Sequence, residues 1–226
     1  SEAHLPCAPL DPRIVAGLRD LPRDAHPMDA LRTSFSAWGA GERTVWPPTV
    51  EQARAITAMA PSALAAFGRL RQGLDPIEPD PDLDTTAGFL YQLNGEVPDE
   101  ASARALDAYF IVGADHGFNA STFAARVITS TRSDIASAVS GATGALKGPL
   151  HGGAPSEVVS QLNEIGTPEA AEAWIADALD RGERLMGFGH RVYRAYDPRA
   201  AALREVAESM GGIADWLELA VAVEDV

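Results

Sequence analysis

The sequence predicts an all-α fold, and three observations carry that expectation. Proline stands near the start, and glycine just past the end, of one apolar stretch after another, which is the asymmetry of helix termini. Apolar residues within these stretches recur at helical spacing. No segment alternates apolar and polar residues as a half-buried strand would, and no internal repeat is evident.

Taken in order, Asp11 caps a short helix with Pro12 at its first position. A second helix follows Pro27, with Met28, Leu31, Phe35 and Trp38 close to helical spacing. Thr49 and Gln52 form a capping box for the stretch from Val50. Pro61 lies inside that stretch and predicts two helices over 50–72 rather than one. The string GLDPIEPDPDLD (73–84) is a loop rich in Pro and Asp. A short helix over 85–94 stops at Gly95, and Pro98-Asp99-Glu100 opens an Ala-rich helix to about Gly113. A further piece runs from about Ser121 to Thr131. Asp134 caps the next helix, whose Gly141 and Gly144 let another helix come close. Pro155 starts a helix that Gly166 stops, Thr167-Pro168-Glu169 starts one that Gly182 stops, and Pro198 starts one that ends at Gly211-Gly212. Ile213 to Val226 reads as a last helix with Leu217, Ala220, Val221 and Val223 on or near one face, and it carries no stop signal.

The 226 residues are 46% hydrophobic and 22% charged, enough for a sizeable core in one large domain or parts of two. A formal net charge of −14 argues against nucleic-acid binding, which needs a basic footprint. The single cysteine, Cys7, excludes an internal disulfide and a Cys-based zinc site. No apolar run approaches the ~20 residues of a membrane span, and the first residues lack the regions of a signal peptide. A cytoplasmic protein is expected.

The chemistry gathers around three of the five histidines, in the strings DHGFNAST (Asp115 to Thr122), GPLHGG (Gly148 to Gly153) and GFGHRVYRAYDPR (Gly187 to Arg199). Each places an imidazole, His116, His151 or His190, beside glycine or irregular backbone, where a ligand can approach the main chain. The residues alone fit either of two readings: structural turns and helix starts, or cradles for a small anion. Arg184, Arg191, Arg194 and Arg199 fall within sixteen residues, either a solvated charged face or a local anion site. A guanidinium suits bidentate grip of a carboxylate. The histidines are 35 and 39 residues apart, which matches no compact zinc motif, so no metal is expected.

These strings, in this order and at about these separations, with LYQLNGEVPDE before them, resemble the citrate synthase family over most of residues 20–226. The likeness is to the bacterial citrate synthase and 2-methylcitrate synthase branch. It implies an all-helical fold with a large domain and a smaller one that closes over the substrates. Residues 1–150 would then be part of the large domain and 151–226 the first part of the small one. A homodimer would form through the helices within 99–131 and 134–147, whose small residues include Ala136, Ala138, Gly141 and Gly144.

The resemblance also implies a reaction: condensation of acetyl-CoA with oxaloacetate to citrate and CoA, with acetyl-CoA as co-substrate and no bound cofactor. His151 would stabilise the enol of the acetyl group and His190 would polarise the keto group of oxaloacetate. His116, Asn119 and Arg199 would bind oxaloacetate. Leu185, Met186, Gly187, Phe188 and Gly189 would meet the CoA adenine, and Arg194 the CoA phosphate. Oxygen-directed donors of this kind stabilise an enolate as it develops.

The chain departs from the family pattern in three ways. Gly117 stands where the family often has Glu. The opening region with a Tyr-Arg-Gly motif is absent. So is the Asn-Val-Asp-type motif that supplies the general base. The last helix without a stop signal favours a piece of a synthase, inactive in isolation for want of its carboxylate. Two alternatives stay open: a 2-methylcitrate synthase using propionyl-CoA, and a non-catalytic binding module that kept the pocket and lost the base.

Overall fold

The computed structural model describes residues 5–42, 45–188, 198–210 and 214–226. Among these, eleven α-helices and one 3-10 turn account for the regular structure, and there is no strand. The chain divides into two compact units. One reaches to Arg104 and adds Asp115–Lys147; the other is Ala105–Ala114 with Gly148–Val226.

The first unit holds α1 (Pro12–Arg19), α2 (Pro27–Gly41), α3 (Val50–Leu70), α4 (Thr85–Asn94), α6 (Ala120–Ser130) and α7 (Ile135–Leu146), and the start of α5 (Glu100–Gly113). The expected caps are in place. Asp11 accepts from the amide of Arg13, and Asp134 from that of Ser137. Thr49 and Gln52 form the reciprocal capping box, and Gly95 closes α4 in the left-handed conformation. His26 also caps a helix: its Nδ1 accepts from the amide of Met28 at 3.1 Å.

Pro61 does not divide the third stretch. Val50 to Leu70 is one helix with the proline inside it. A proline in a helix interior removes one backbone bond, at a cost of ~3 kcal/mol or more. On both sides of it the helix buries large side chains, including Ile56, Met59 and Phe67, against α1 and α2. Each such burial contributes ~1.5–3 kcal/mol, so packing outweighs the local rule.

The loop over 74–83 is tied down at several points. The Arg69 guanidinium donates to the carbonyl of Asp75, and the Gln92 amide to that of Ile77. Gln92 also accepts from the buried Ser62 hydroxyl.

Helices α2 and α7 run side by side in opposite directions, in a ladder of small and polar residues. A Cβ on Gly39 would overlap that of Ala136, so only glycine allows this approach. Ser36 and Ser140 share a hydrogen bond of 3.2 Å, Gly144 faces the Arg32 guanidinium, and Asp29 pairs with Lys147 at 2.5 Å. Gly141 receives Ile128 of α6 in the same way. The expected close helix approach therefore occurs, but Ala136, Ala138 and Gly141 serve packing within the chain.

The second unit contains the rest of α5, α8 (Ala154–Ile165), a 3-10 turn (Pro168–Ala170), α9 (Ala171–Asp180), α10 (Pro198–Ser209) and α11 (Ala214–Asp225). Its core joins Leu162 and Ile165 of α8, Ala171 and Ile175 of α9, and Leu219 and Val223 of α11. Leu219 was not part of the expected apolar face of the last helix. Leu217 and Val221 are only half-buried, and the side that packs is the one carrying Leu219 and Val223.

Candidate active site

The candidate residues fall in both units. In the first unit, His116 lies half-buried in the connection between α5 and α6. The Asp115 carboxylate accepts from the amide of Gly117 at 2.8 Å, closing a tight turn around the histidine. Gly117 has φ +60°, a conformation that a glutamate at this position would adopt only with strain. Asn119 is the N-cap of α6. Its Oδ1 accepts from the Thr122 amide at 3.0 Å and from the Ser121 hydroxyl at 2.7 Å. Its Nδ2 is thus the group suited to donate to a ligand.

In the second unit, His151 sits half-buried in the turn that leads into α8. Its amide donates to the carbonyl of Gly148 at 2.9 Å, and the amide of Gly153 donates to the same carbonyl at 3.1 Å. This one carbonyl gathers the GPLHGG string into a compact loop. No side chain caps α8, whose N-cap is Gly153.

The segment Leu185 to Phe188 lies against this same helix. The amide of Met186 donates to Oε1 of Gln161 at 3.0 Å. Gly187, at φ +91°, brings its Cα so close to Val158 that a Cβ would come within 3.1 Å of it. Leu185 packs on the core of the unit, while Phe188 is exposed. One helix therefore carries the His151 turn at its start and holds the 185–188 loop along its side. Gln161, buried at 6% exposure, is a positioning residue that the sequence reading missed. Its signal was a carboxamide among apolar neighbours at helical spacing, with Val158, Leu162 and Ile165.

Arg199 is the second residue of α10 and is half-buried. Gly189, His190 and Arg194 lie outside the described residues. Among the described residues there is no cluster of three or more His, Cys, Asp or Glu side chains able to hold a metal, and no helix long and apolar enough to cross a membrane.

An all-helical fold with glycine-flanked histidines in its connections defines the class, and comparison with known proteins places the chain within it. A family model described as the citrate synthase C-terminal domain matches residues 4–226. The citrate synthase of Haloferax volcanii is 45% identical over 96% of this chain and 60% of its own length. The 2-methylcitrate synthase of Mycobacterium tuberculosis is also 45% identical, over 93% of this chain and 55% of its own. Among solved structures, Thermotoga maritima citrate synthase matches with a TM-score of 0.83 at 36% identity, over 96% of this chain and 57% of that one. The citrate synthase of Thermoplasma acidophilum, solved as a ternary complex with carboxymethyl coenzyme A and oxaloacetate, matches with a TM-score of 0.85 at 31% identity, over 96% of this chain and 59% of that one. The chain belongs to the citrate synthase family. It spans between 55% and 60% of the length of the curated relatives named here.

Proposed function

We propose that the protein carrying this chain is a citrate synthase-type acyltransferase that condenses acetyl-CoA with oxaloacetate, giving citrate and CoA. The observation that carries this reading is the sharing of α8: the turn bearing His151 begins it, and the 185–188 loop is pinned to its side through Met186 and Gln161. A helix that fixes both the group facing the thioester and the loop facing the CoA adenine sets the distance between the two ends of one substrate.

In this reading His151 donates to the thioester oxygen as a methyl proton leaves, and the enol carbon attacks the keto carbon of oxaloacetate. His190 donates to the keto oxygen as it gains charge. Arg199, His116 and the Asn119 amide hold the carboxylates of oxaloacetate, and Arg194 reaches a CoA phosphate. Water then cleaves the citryl thioester and frees CoA. Residues 1–150 form part of a large domain and 151–226 the first part of a small one. No Asn-Val-Asp-type motif occurs in the 226 residues, so the isolated chain is expected to lack the proton acceptor and turn over poorly.

The test is thiol release from acetyl-CoA with oxaloacetate, measured on the intact gene product and the 226-residue chain side by side. In an active gene product His151→Ala is expected to lower kcat by ~10²–10⁴-fold, and His190→Ala to weaken oxaloacetate binding. Full activity in either variant overturns the assigned roles. Equal turnover by the short chain would show that the base lies within it.

The equal identity to a 2-methylcitrate synthase supports a second reading, with propionyl-CoA as the acyl donor. One methyl group is worth only ~1–3 kcal/mol in a pocket, so the ratio of kcat/KM for the two acyl-CoAs decides between them.

A homodimer is proposed through α6, which has no buried residue and exposes Phe123 and Val127, with Phe118 just before it. Light scattering showing only monomer at micromolar concentration overturns that assembly.

A further inference from the structure

Where α1 and α3 end, the first unit holds a cavity of about 210 Å³. Leu18 and Phe67, both buried, form its apolar floor, and the exposed Leu74 stands at its edge. Three guanidiniums line it, from Arg19, Arg23 and Arg71, and none of its lining residues is acidic. The chain as a whole has 32 acidic residues against 18 basic ones, so this lining runs against its composition.

Two tight turns present the arginines. Arg23 follows Pro22 in a turn closed by the Ala25 amide, which donates to the Pro22 carbonyl at 3.0 Å. Arg71 opens the turn after α3, where the amides of Gln72 and Leu74 both donate to the Arg69 carbonyl. Gly73 of that turn has φ +80°, and a Cβ on it would lie 3.8 Å from the Arg23 guanidinium. The Arg23 side chain therefore reaches the Arg71 turn. Asp75 anchors the same turn: its carbonyl accepts from Arg69 at 2.7 Å, and its carboxylate pairs with Arg19 at 2.6 Å. The Arg71 guanidinium lies over the Phe67 ring, 5.8 Å from its centre.

Basic residues at helix ends offset the helix dipole, and that alone would account for Arg19. It does not account for the other two. The carbonyls of Phe67, Arg69 and Leu70 at the end of α3 already accept from amides of the turn. Arg23 is four residues past the end of α1, beyond the last turn over which the dipole acts. Among the described residues, no carboxylate pairs with Arg23 or Arg71, whereas Arg19 has Asp75. We infer that this cavity binds a small organic phosphate, its phosphoryl group shared by Arg23 and Arg71 and its carbon body against Leu21 and Leu74. A guanidinium is a planar fork that matches phosphate oxygens. Two forks brought to one turn suit a charge concentrated on one group, and a phosphate monoester, with a second pKa of about 6, is such a dianion. The volume is below the ~300–1,000 Å³ of drug-sized pockets, so the body is small. No residue assigned above to oxaloacetate or CoA lines the cavity, so the inference stands apart from the proposed reaction.

The experiment titrates phenyl phosphate into the intact gene product by calorimetry, in low-salt chloride buffer. CoA and oxaloacetate are present at saturation throughout, so that the proposed substrate site takes up no phosphate. One phenyl phosphate per chain is expected to bind. Arg23→Gln and Arg71→Gln are each expected to weaken it about tenfold or more, as loss of a charge-assisted pair does. Arg71→Lys keeps the charge without the fork and is expected to lose a few-fold. Arg13→Gln removes an arginine of α1 that pairs with Asp11 and is expected to leave the affinity unchanged.

Inorganic phosphate, which lacks the carbon body, is expected to bind more weakly than phenyl phosphate, and phenol not at all. Absence of phenyl phosphate binding at millimolar concentration overturns the inference. So does a parent-like affinity in both glutamine variants. Benzoate or succinate binding as tightly as phenyl phosphate overturns the choice of a phosphoryl group. If Arg71→Gln does not fold, Arg23→Gln in its exposed turn decides by the same readout. Arginines that serve only the helix ends would instead lower the melting temperature when replaced, in a parent that binds no phenyl phosphate.

Discussion

In the first unit, α1, α2, α3, α4, α6 and α7 each begin with a side chain that accepts from a backbone amide: Asp11, His26, Thr49, Asp84, Asn119 and Asp134. Asp99 does the same for the start of α5, accepting from the amide of Ser102. In the second unit, α8 and α9 begin without any such bond. The cores differ in the same direction. The first is built on Phe35, Met59 and Phe67 with Leu18 and Ile14, while the second joins six smaller or aliphatic residues. A helix that carries its own cap is held partly by local chemistry. A helix without one depends on what packs against it. The unit of α8 and α9 also holds the His151 turn and the 185–188 loop, so these candidate site residues stand on tertiary support more than on local signals.

The strongest way to break this comparison is to empty each core in turn. Phe67→Ala removes the largest fully buried side chain among the described residues and is expected to cost about 3–5 kcal/mol in urea denaturation. Ile175→Ala in the second unit is expected to cost about 2–5 kcal/mol. Hydrogen exchange should then show lost protection in α8, α9 and α11, with α1 to α4 as before. Equal loss in both units would erase the distinction.

Gly39→Ala probes the α2–α7 ladder. The added carbon overlaps Ala136, and about 1–3 kcal/mol of destabilisation is expected. Gly17→Ala, in the middle of α1 with open space around it, should instead stabilise by about 0.5–1 kcal/mol. A loss at both positions would argue against close approach as the reason for Gly39.

Asp134→Ala removes a cap and is expected to cost about 1 kcal/mol at neutral pH. The amide of Ser137 is the main cause holding the Asp134 carboxyl below its usual range. The contribution of such a carboxylate is present above the unfolded pKa of about 3.9 and is lost as pH falls through the lower folded value. The gap in stability between parent and variant should therefore narrow below about pH 4. A gap that stays constant to pH 2 would count against the charged cap.

The second unit has a functional counterpart. Gln161→Leu removes the acceptor for the Met186 amide, an effect of about 0.5–1.5 kcal/mol. Under the proposed function this weakens CoA binding a few-fold and leaves oxaloacetate binding unchanged. Calorimetry with each ligand separately measures both.

The first unit was largely legible in the sequence because its determinants are local. Asp11-Pro12, Thr49 with Gln52, Asn94-Gly95 and Asp134 mark helix ends within four residues, and the structure follows them. Pro61 misled because the rule it obeys is local, whereas the burial that overrides it involves α1 and α2. The last helix misled for a different reason. Leu217 with Val221 and Leu219 with Val223 are both spaced by four, on sides of the helix roughly 200° apart. Only the position of α9 chooses between them. The candidate site was legible as strings and not as geometry. Nothing in the pattern pairs Gln161 with Met186, because a carboxamide-to-amide bond across 25 residues has no periodicity.

Cys7 is the only cysteine of the chain, and it is buried, with its thiol donating to the carbonyl of Thr85. Burial pushes the thiol up to about 11, so at neutral pH almost none of it is the reactive thiolate. A maleimide can therefore modify the folded molecule only when the segment before α1 lifts away from α3 and α4. The 226-residue chain carries a built-in clock for that opening event, which a time course of mass measurements reads without any engineered label.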